Sequence, residues 1–212
     1  MSGSFSAFDP TSIDWAKTEG LVPAIVQDAR TMRVLMLGYV NAEALQATLD
    51  KGLITFFSRS KQRLWQKGET SGHVLRLRDI RLDCDKDTLL MLAEPEGPTC
   101  HLGTITCFGD GPEPRLAVLA DLAATIHARR MAPDPGSYTA KLFAEGVTRI
   151  AQKVGEEAVE TGLAAATKSP DLPGEAADLI YHLLVLLEAT GTDWQDVLDI
   201  LRRRSQRQQP SH

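Results

Sequence analysis

Long apolar runs are missing from this 212-residue chain. The longest, at residues 183–187, falls far short of the roughly 20 residues a bilayer-spanning helix needs. Residues 1–10 have neither the basic start nor the apolar core of a secretory signal. Basic charge is also scarce: 23 Lys+Arg stand against 28 Asp+Glu, a net charge of −5. That is the wrong sign for non-specific binding to nucleic acid or to an anionic membrane. There are only three cysteines, an odd number that cannot pair off, so a disulfide framework is excluded and a reducing cytoplasmic setting is expected. What remains is ordinary globular material, 43% hydrophobic and 24% charged, which excludes disorder. Its length suits one large domain or two small ones.

The two halves differ in grammar. Up to about Phe108, short apolar segments at 21–26, 34–37 and 54–58 are bounded by Gly or polar residues and read as strands. One helix interrupts them, over 42–49, with Asn41 as N-cap and Gly52 as stop. Phe108-Gly109-Asp110-Gly111-Pro112-Glu113-Pro114 then reads as a linker. Beyond it, apolar residues recur at helical spacing over 117–130, 138–167, 174–190 and 193–204, with Asp193 capping the last helix. The expected division is a domain at 1–110 and another at 115–212; residues 1–107 carry a net charge of −1 and residues 108–212 a net charge of −4.

All three cysteines, Cys84, Cys100 and Cys107, fall in one window, and Cys100 sits in a turn-like Gly97-Pro98-Thr99-Cys100-His101. Small buried residues are the plain reading of free cysteines. Three thiolates are also an incomplete tetrahedron, the donor set of a zinc ion with one position open for water. Around Cys84, Asp83, Asp85 and Asp87 alternate. If the segment is a strand, the aspartates share one face and Cys84 the other, whereas Asp is also common in turns. Such carboxylates stay solvated or bind a hard cation such as Mg²⁺. The stretch 57–73 carries Arg59, Lys61, Arg63 and Lys67 among hydroxyl and glycine residues, a composition suited to phosphate as well as to plain surface.

In the helical half, Lys153, Glu156, Glu157 and Glu160 fall within an arc of roughly 100° on one helix. Glu175 and Asp178 follow at i and i+3 on the next, whose apolar run 180–187 reads as buried. A solvated acidic face is one reading. Carboxylates converging from facing helices on Mg²⁺ is the other, favoured by the second acidic pair. His182 shares the face of Asp178 and also suits a hydrogen-bonded core position.

Longer motifs carry a resemblance. Val34-Leu35-Met36-Leu37-Gly38-Tyr39 with Asn41, Ser58-Arg59-Ser60, Leu64-Trp65-Gln66-Lys67-Gly68-Glu69-Thr70-Ser71-Gly72, Asp83-Cys84-Asp85-Lys86-Asp87 and Gly97-Pro98-Thr99-Cys100-His101 resemble phosphoribosyl-AMP cyclohydrolase. Lys153-Val154-Gly155-Glu156-Glu157-Ala158-Val159-Glu160 and Glu175-Ala176-Ala177-Asp178-Leu179-Ile180-Tyr181-His182 resemble phosphoribosyl-ATP pyrophosphohydrolase. The implied fold is a mainly-β (α+β) cyclohydrolase domain followed by an all-α MazG-like helical bundle. The implied function is a bifunctional hydrolase of histidine biosynthesis. Its second domain cleaves phosphoribosyl-ATP to phosphoribosyl-AMP and pyrophosphate. Its first opens the adenine ring of phosphoribosyl-AMP at N1–C6 with a zinc-activated water.

The resemblance also implies site residues. Zinc would bind Cys84, Cys100 and Cys107, and magnesium would bind Asp83, Asp85 and Asp87. A second magnesium would bind Glu156, Glu157, Glu160, Glu175 and Asp178. Candidate catalytic groups are His101, Lys67, Glu156 and Glu157. Candidate substrate contacts are Ser58, Arg59, Ser60, Trp65, Lys67, Gly68, Glu69, Thr70, Ser71, His73 and Lys153, with no nucleic-acid or membrane partner. A homodimer sharing its zinc sites is implied. A pyrophosphohydrolase for other nucleotides joined to a zinc domain, and a zinc-stabilised interaction module, are the competing functions.

Overall fold

The computed structural model describes residues 8–109 and 114–207. Most of the residue 1–10 segment and residues 110–113 of the expected linker lie outside it. The chain divides into two compact units, Met1–Ala117 and Val118–His212. The first is strand-rich and the second helical, so the architecture is a mainly-β α+β domain followed by an all-α one.

In the first unit, β1 (Val22–Asp28), β2 (Val34–Val40), β6 (Leu89–Pro95) and β5 (Leu75–Leu82) form a sheet in the order β2-β1-β6-β5. Strand β1 alternates buried and half-buried residues, so Val22, Ala24 and Val26 line the core face. It pairs antiparallel with β2 and parallel with β6. The parallel pair requires a crossover, which is supplied by helix α1 (Ala42–Lys51), the hairpin β3 (Thr55–Ser58)–β4 (Arg63–Gln66), and β5. Asn41 caps α1 as expected, its side chain accepting the Ala44 N–H at 2.8 Å, and Gly52 ends it at φ 66°. Buried Thr48 fastens the helix to β3: its hydroxyl donates to the Ala44 carbonyl and accepts the Thr55 N–H, both at 2.9 Å.

The strand reading of Asp83 to Asp87 is corrected. Strand β5 stops at Leu82, and residues 83–88 turn the chain into β6. The Asp83 carboxylate accepts the N–H groups of Asp87 (3.0 Å) and Thr88 (3.1 Å), and Lys86 takes a left-handed φ of 66°. An aspartate that binds backbone amides four and five residues on stabilises a turn at the expense of the ladder. The opposed faces inferred from alternation therefore do not exist.

The second unit comprises α2 (Ala117–Met131, whose first residue is the boundary), α3 (Tyr138–Glu145), α4 (Val147–Thr167), α5 (Leu172–Thr190) and α6 (Trp194–Arg207). The helix expected over 138–167 is broken at Gly146, whose φ of 89° lies outside the helical region. The Asp193 side chain accepts the Gln195 N–H at 2.9 Å at the start of α6. The core gathers Ile126, Leu142, Ile150, Leu184 and Val185. Each such burial contributes about 1.5–3 kcal/mol. The run 180–187 is less buried than its composition suggests: Leu184 and Val185 are enclosed, but Ile180 is 39% exposed.

Candidate functional site

Two segments of the first unit converge on a cavity of about 380 Å³. One is the β4 strand with the turn after it, which supplies Trp65, Lys67, Gly68, Glu69, Thr70, Ser71 and His73. The other follows β6 and supplies Pro98, Thr99, Cys100, His101, Gly103 and Cys107, while Met36 enters from β2. A tight turn returns the Cys100 N–H to the Thr104 carbonyl (3.0 Å). The Cys107 N–H then bonds the Leu35 carbonyl (2.8 Å), pinning this segment to β2. Cys100 and Cys107 are thereby held side by side.

Glycine sets the wall around His73. Gly68 has φ 85°, and a Cβ there would lie 2.5 Å from the His73 carbonyl group. Gly97 has φ 102°, and a Cβ there would lie 2.8 Å from the His73 ring. Lys67 is 8% exposed and its ammonium pKa is lowered by burial, against the pull of Cys107 and Cys100. The Leu102 N–H, 3.5 Å from the Cys100 sulfur, is the main cause of a lowered Cys100 pKa, helped by Thr104. Burial pushes the Cys107 thiol up. A hydrogen-bonded, thiolate-prone Cys100 beside Cys107 fits two corners of a soft-metal site.

Ser58, Arg59 and Ser60 do not line this cavity. They sit at the β3–β4 turn, where Arg59 lies 3.8 Å above the Tyr39 ring. Glu69 is engaged by Arg63 at 2.6 Å, which lowers the Glu69 pKa. Cys84 is exposed in the β5–β6 turn and does not line the cavity either. Sequence reasoning missed Met36, Pro98, Thr99 and Gly103. For Met36, Pro98 and Thr99 the signal was at hand, since Met36 belongs to the motif from Val34 to Tyr39 and the other two to the motif that contains Cys100.

The three aspartates converge: one oxygen from each of Asp83, Asp85 and Asp87 lies within 4.8 Å of the others. Such oxygens fit a hard divalent ion. The group already holds a cation, because Lys17 forms ion pairs with Asp85 and with Asp87, the latter at 2.6 Å. These bonds hold the Lys17 ammonium well above its ordinary pKa and lower that of Asp85. Sequence spacing carried no sign of Lys17, which lies 68 residues before Asp85.

In the second unit, Glu157, Glu175 and Asp178 form the other such group among the described residues. Glu157 occupies the inward stripe of α4 that also carries Ile150 and Ala164, and it is only 5% exposed. Lys153 bonds it at 3.0 Å and Glu156 at 2.7 Å. Glu156 points to Lys153, Gln152 and Arg149, outside the group. Glu160 is also outside it, though its charge acts on Glu175, whose pKa is raised first by burial and then by Glu160, Glu157 and Asp178. His182 is buried behind Glu157. Its Nδ1 donates to the Asp178 carbonyl at 2.9 Å, leaving Nε2 to accept the Tyr138 hydroxyl at 3.2 Å. Oxygen donors from two helices fit Mg²⁺.

Comparison with known proteins gives the same division. The phosphoribosyl-AMP cyclohydrolase family model matches residues 36–109, and the phosphoribosyl-ATP pyrophosphohydrolase family model matches residues 119–205. Proteins named histidine biosynthesis bifunctional protein HisIE align over nearly the whole chain. That of Vibrio cholerae serotype O1 is 58% identical, covering 91% of this chain and 93% of its own. That of Xanthomonas axonopodis pv. citri is 54% identical, covering 97% and 99%. That of Salmonella typhimurium is 56% identical, covering 92% and 96%. A strand-rich unit and a helical unit, each with its own cluster of chemical groups, thus coincide with two family matches, and the chain belongs to the bifunctional phosphoribosyl-AMP cyclohydrolase and phosphoribosyl-ATP pyrophosphohydrolase enzymes of histidine biosynthesis.

Proposed function

We propose that the two units perform successive hydrolyses in the cytoplasm. Residues 115–212 cleave the α–β phosphate bond of phosphoribosyl-ATP, and residues 1–110 add water across N1–C6 of the adenine ring of phosphoribosyl-AMP. The observation that carries the reading is the pairing of one cavity with two adjacent thiols and one inter-helix carboxylate group centred on the buried Glu157, each in its own unit. Zinc at the thiols would supply Lewis acidity that makes water acidic near neutral pH, and magnesium at the carboxylates would offset phosphate charge.

In the first unit the cavity walls take the substrate. Trp65 offers an apolar surface for the purine, and Thr70 and Ser71 offer hydroxyl donors to phosphate. Ring opening needs a proton removed from the attacking water and a proton delivered to N1. The Lys67 Nζ and the His101 ring are the wall groups able to carry them, and His73 orients the ring. Ser58, Arg59 and Ser60, outside the cavity, would meet the phosphate only at its outer end. Asp83, Asp85 and Asp87 would hold magnesium.

In the second unit, Glu157, Glu175 and Asp178 would hold magnesium, with Glu160 adjacent. Lys153, already balanced between Glu156 and Glu157, turns to the phosphates. Glu156, freed of it, orients the water. His182 keeps Asp178 and Glu157 in place from behind.

The third zinc ligand, Cys84, comes from the second subunit of a homodimer. Its exposure, and its position outside the cavity that Cys100 and Cys107 line, support this. The test is to mix inactive Cys84→Ala and Cys107→Ala chains after reversible dissociation. A site shared between chains gives each mixed dimer one intact site, about a quarter of wild-type cyclohydrolase activity after random pairing. A site confined to one chain gives none.

A further inference from the structure

We propose that Lys17 is a built-in counter-cation of the Asp83, Asp85 and Asp87 turn, occupying its carboxylates until a divalent ion displaces it and so setting how tightly that ion binds. This rests on the reading of the turn as a divalent-cation site.

The geometry is that of an installed competitor. The Lys17 ammonium bonds carboxylate oxygens of both Asp85 and Asp87. Both belong to the three-oxygen group, so these two partners cannot ligate an ion freely while the lysine stays. The stem that presents Lys17 is anchored rather than loose. Ile13 is buried in the core cluster and Trp15 packs against it. The Asp14 N–H bonds the carbonyl of Lys86, inside the acidic turn, at 2.8 Å. The Asp14 side chain accepts the Lys17 N–H at 3.1 Å. The N-terminal segment is therefore stitched to the turn at its backbone, and Lys17 reaches the carboxylates from a fixed base.

Lys153 in the second unit makes an instructive contrast. It too bonds a member of an acidic group, Glu157, but its other partner, Glu156, lies outside that group. Until substrate phosphate draws it away, Lys153 can keep Glu156 while Glu157 takes a metal. Lys17 has no such second anchor among its carboxylate partners, so an ion that uses Asp85 and Asp87 must move it. A lysine stem is long and flexible enough to swing away with the backbone unmoved. In the metal-free protein the ammonium relieves repulsion among three carboxylates. In the loaded protein the same charge, left nearby, opposes the ion.

The experiment uses the full chain, loaded with zinc and carrying Glu175→Gln and Asp178→Asn, so that added Mn²⁺ reports on the turn. Binding is followed by electron paramagnetic resonance for Lys17, Lys17→Gln and Lys17→Arg. Removing a unit charge at this range tightens a dication on the order of tenfold. Lys17→Gln is therefore expected to bind at least about tenfold tighter, while Lys17→Arg stays near the parent. Lys17→Gln should also unfold at lower temperature in chelator and recover on adding Mn²⁺. In the parent chain, the Lys17 side-chain nitrogen signal should shift as Mg²⁺ saturates the turn. Unchanged or weaker Mn²⁺ binding by Lys17→Gln, or a Lys17 signal that does not move at saturation, overturns the proposal. A parent chain whose Mn²⁺ binding is untouched by Asp83→Asn with Asp87→Asn overturns instead the reading of the turn as a cation site.

Discussion

Replacing Gly97 by alanine should disable one activity of this chain and spare the other. Gly97 has φ 102°, where an L-residue is strained by about 1–3 kcal/mol. The added Cβ would stand 2.8 Å from Cδ2 of His73 and 3.1 Å from its Cγ. Ordinary contact requires the imidazole to retreat by roughly 0.7 Å. The ring cannot retreat with its backbone, because the His73 carbonyl already lies against Gly68, where a Cβ would meet it at 2.5 Å. It must therefore rotate within the cavity wall. A displacement near 1 Å in a positioned group costs up to about a hundredfold in rate. The expected result is a ten- to hundredfold lower cyclohydrolase kcat/KM, on the order of 2 kcal/mol less stability in the first unit, and unchanged pyrophosphate release. Both activities and the unfolding of each unit are measured on the same preparation. Wild-type cyclohydrolase kinetics in Gly97→Ala would refute the claim that this contact places His73.

Other outcomes follow from particular contacts. Thr48→Val strands the buried Thr55 N–H that the Thr48 hydroxyl accepts at 2.9 Å, and should cost the first unit about 1–3 kcal/mol in urea unfolding. Ile150→Ala, at a fully buried position, should cost the second unit about 2–5 kcal/mol and leave the midpoint of the first unchanged. Glu94 is held below its ordinary pKa, chiefly by its bond to Arg78 across β5 and β6. The folded state therefore binds the Glu94 proton less tightly than the unfolded one. The stabilisation is complete above the unfolded carboxylate pKa and disappears as pH falls through the lower folded value. Because the pair is partly solvated it is worth less than about 1 kcal/mol. A pH series of urea midpoints should show this acid-limb loss in the parent and its reduction in Arg78→Met.

Local rules made much of the first unit legible. Asn41 and Gly52 announced their helix, because a cap is a property of a few adjacent atoms. The motif from Leu64 to Gly72 and the one around Cys100 could be seen as chemistry, and most of both line one cavity. Alternation left the acidic segment open between strand and turn, because periodicity does not register the backbone amides that Asp83 binds. Lys17 was invisible, since tertiary folding alone carries it to Asp85 and Asp87. In the second unit, helical angles put four charged residues in one arc. They did not distinguish Glu157, which lies in the buried stripe, from Glu156, which is turned to Arg149 and Lys153. That distinction depends on where the neighbouring helices pack. Nor did composition reveal that Ile180 stays exposed in an otherwise apolar run.

The most direct measurement of the central claim is a pair of single-site variants, Glu157→Gln and Cys100→Ser, each supplied in turn with phosphoribosyl-ATP and phosphoribosyl-AMP in the presence of Mg²⁺ and Zn²⁺. If each unit performs one hydrolysis, Glu157→Gln releases no pyrophosphate from the first substrate yet opens the ring of the second. Cys100→Ser releases pyrophosphate and accumulates phosphoribosyl-AMP. Loss of both reactions in a folded single variant, or retention of both, would contradict the assignment of one reaction to each unit.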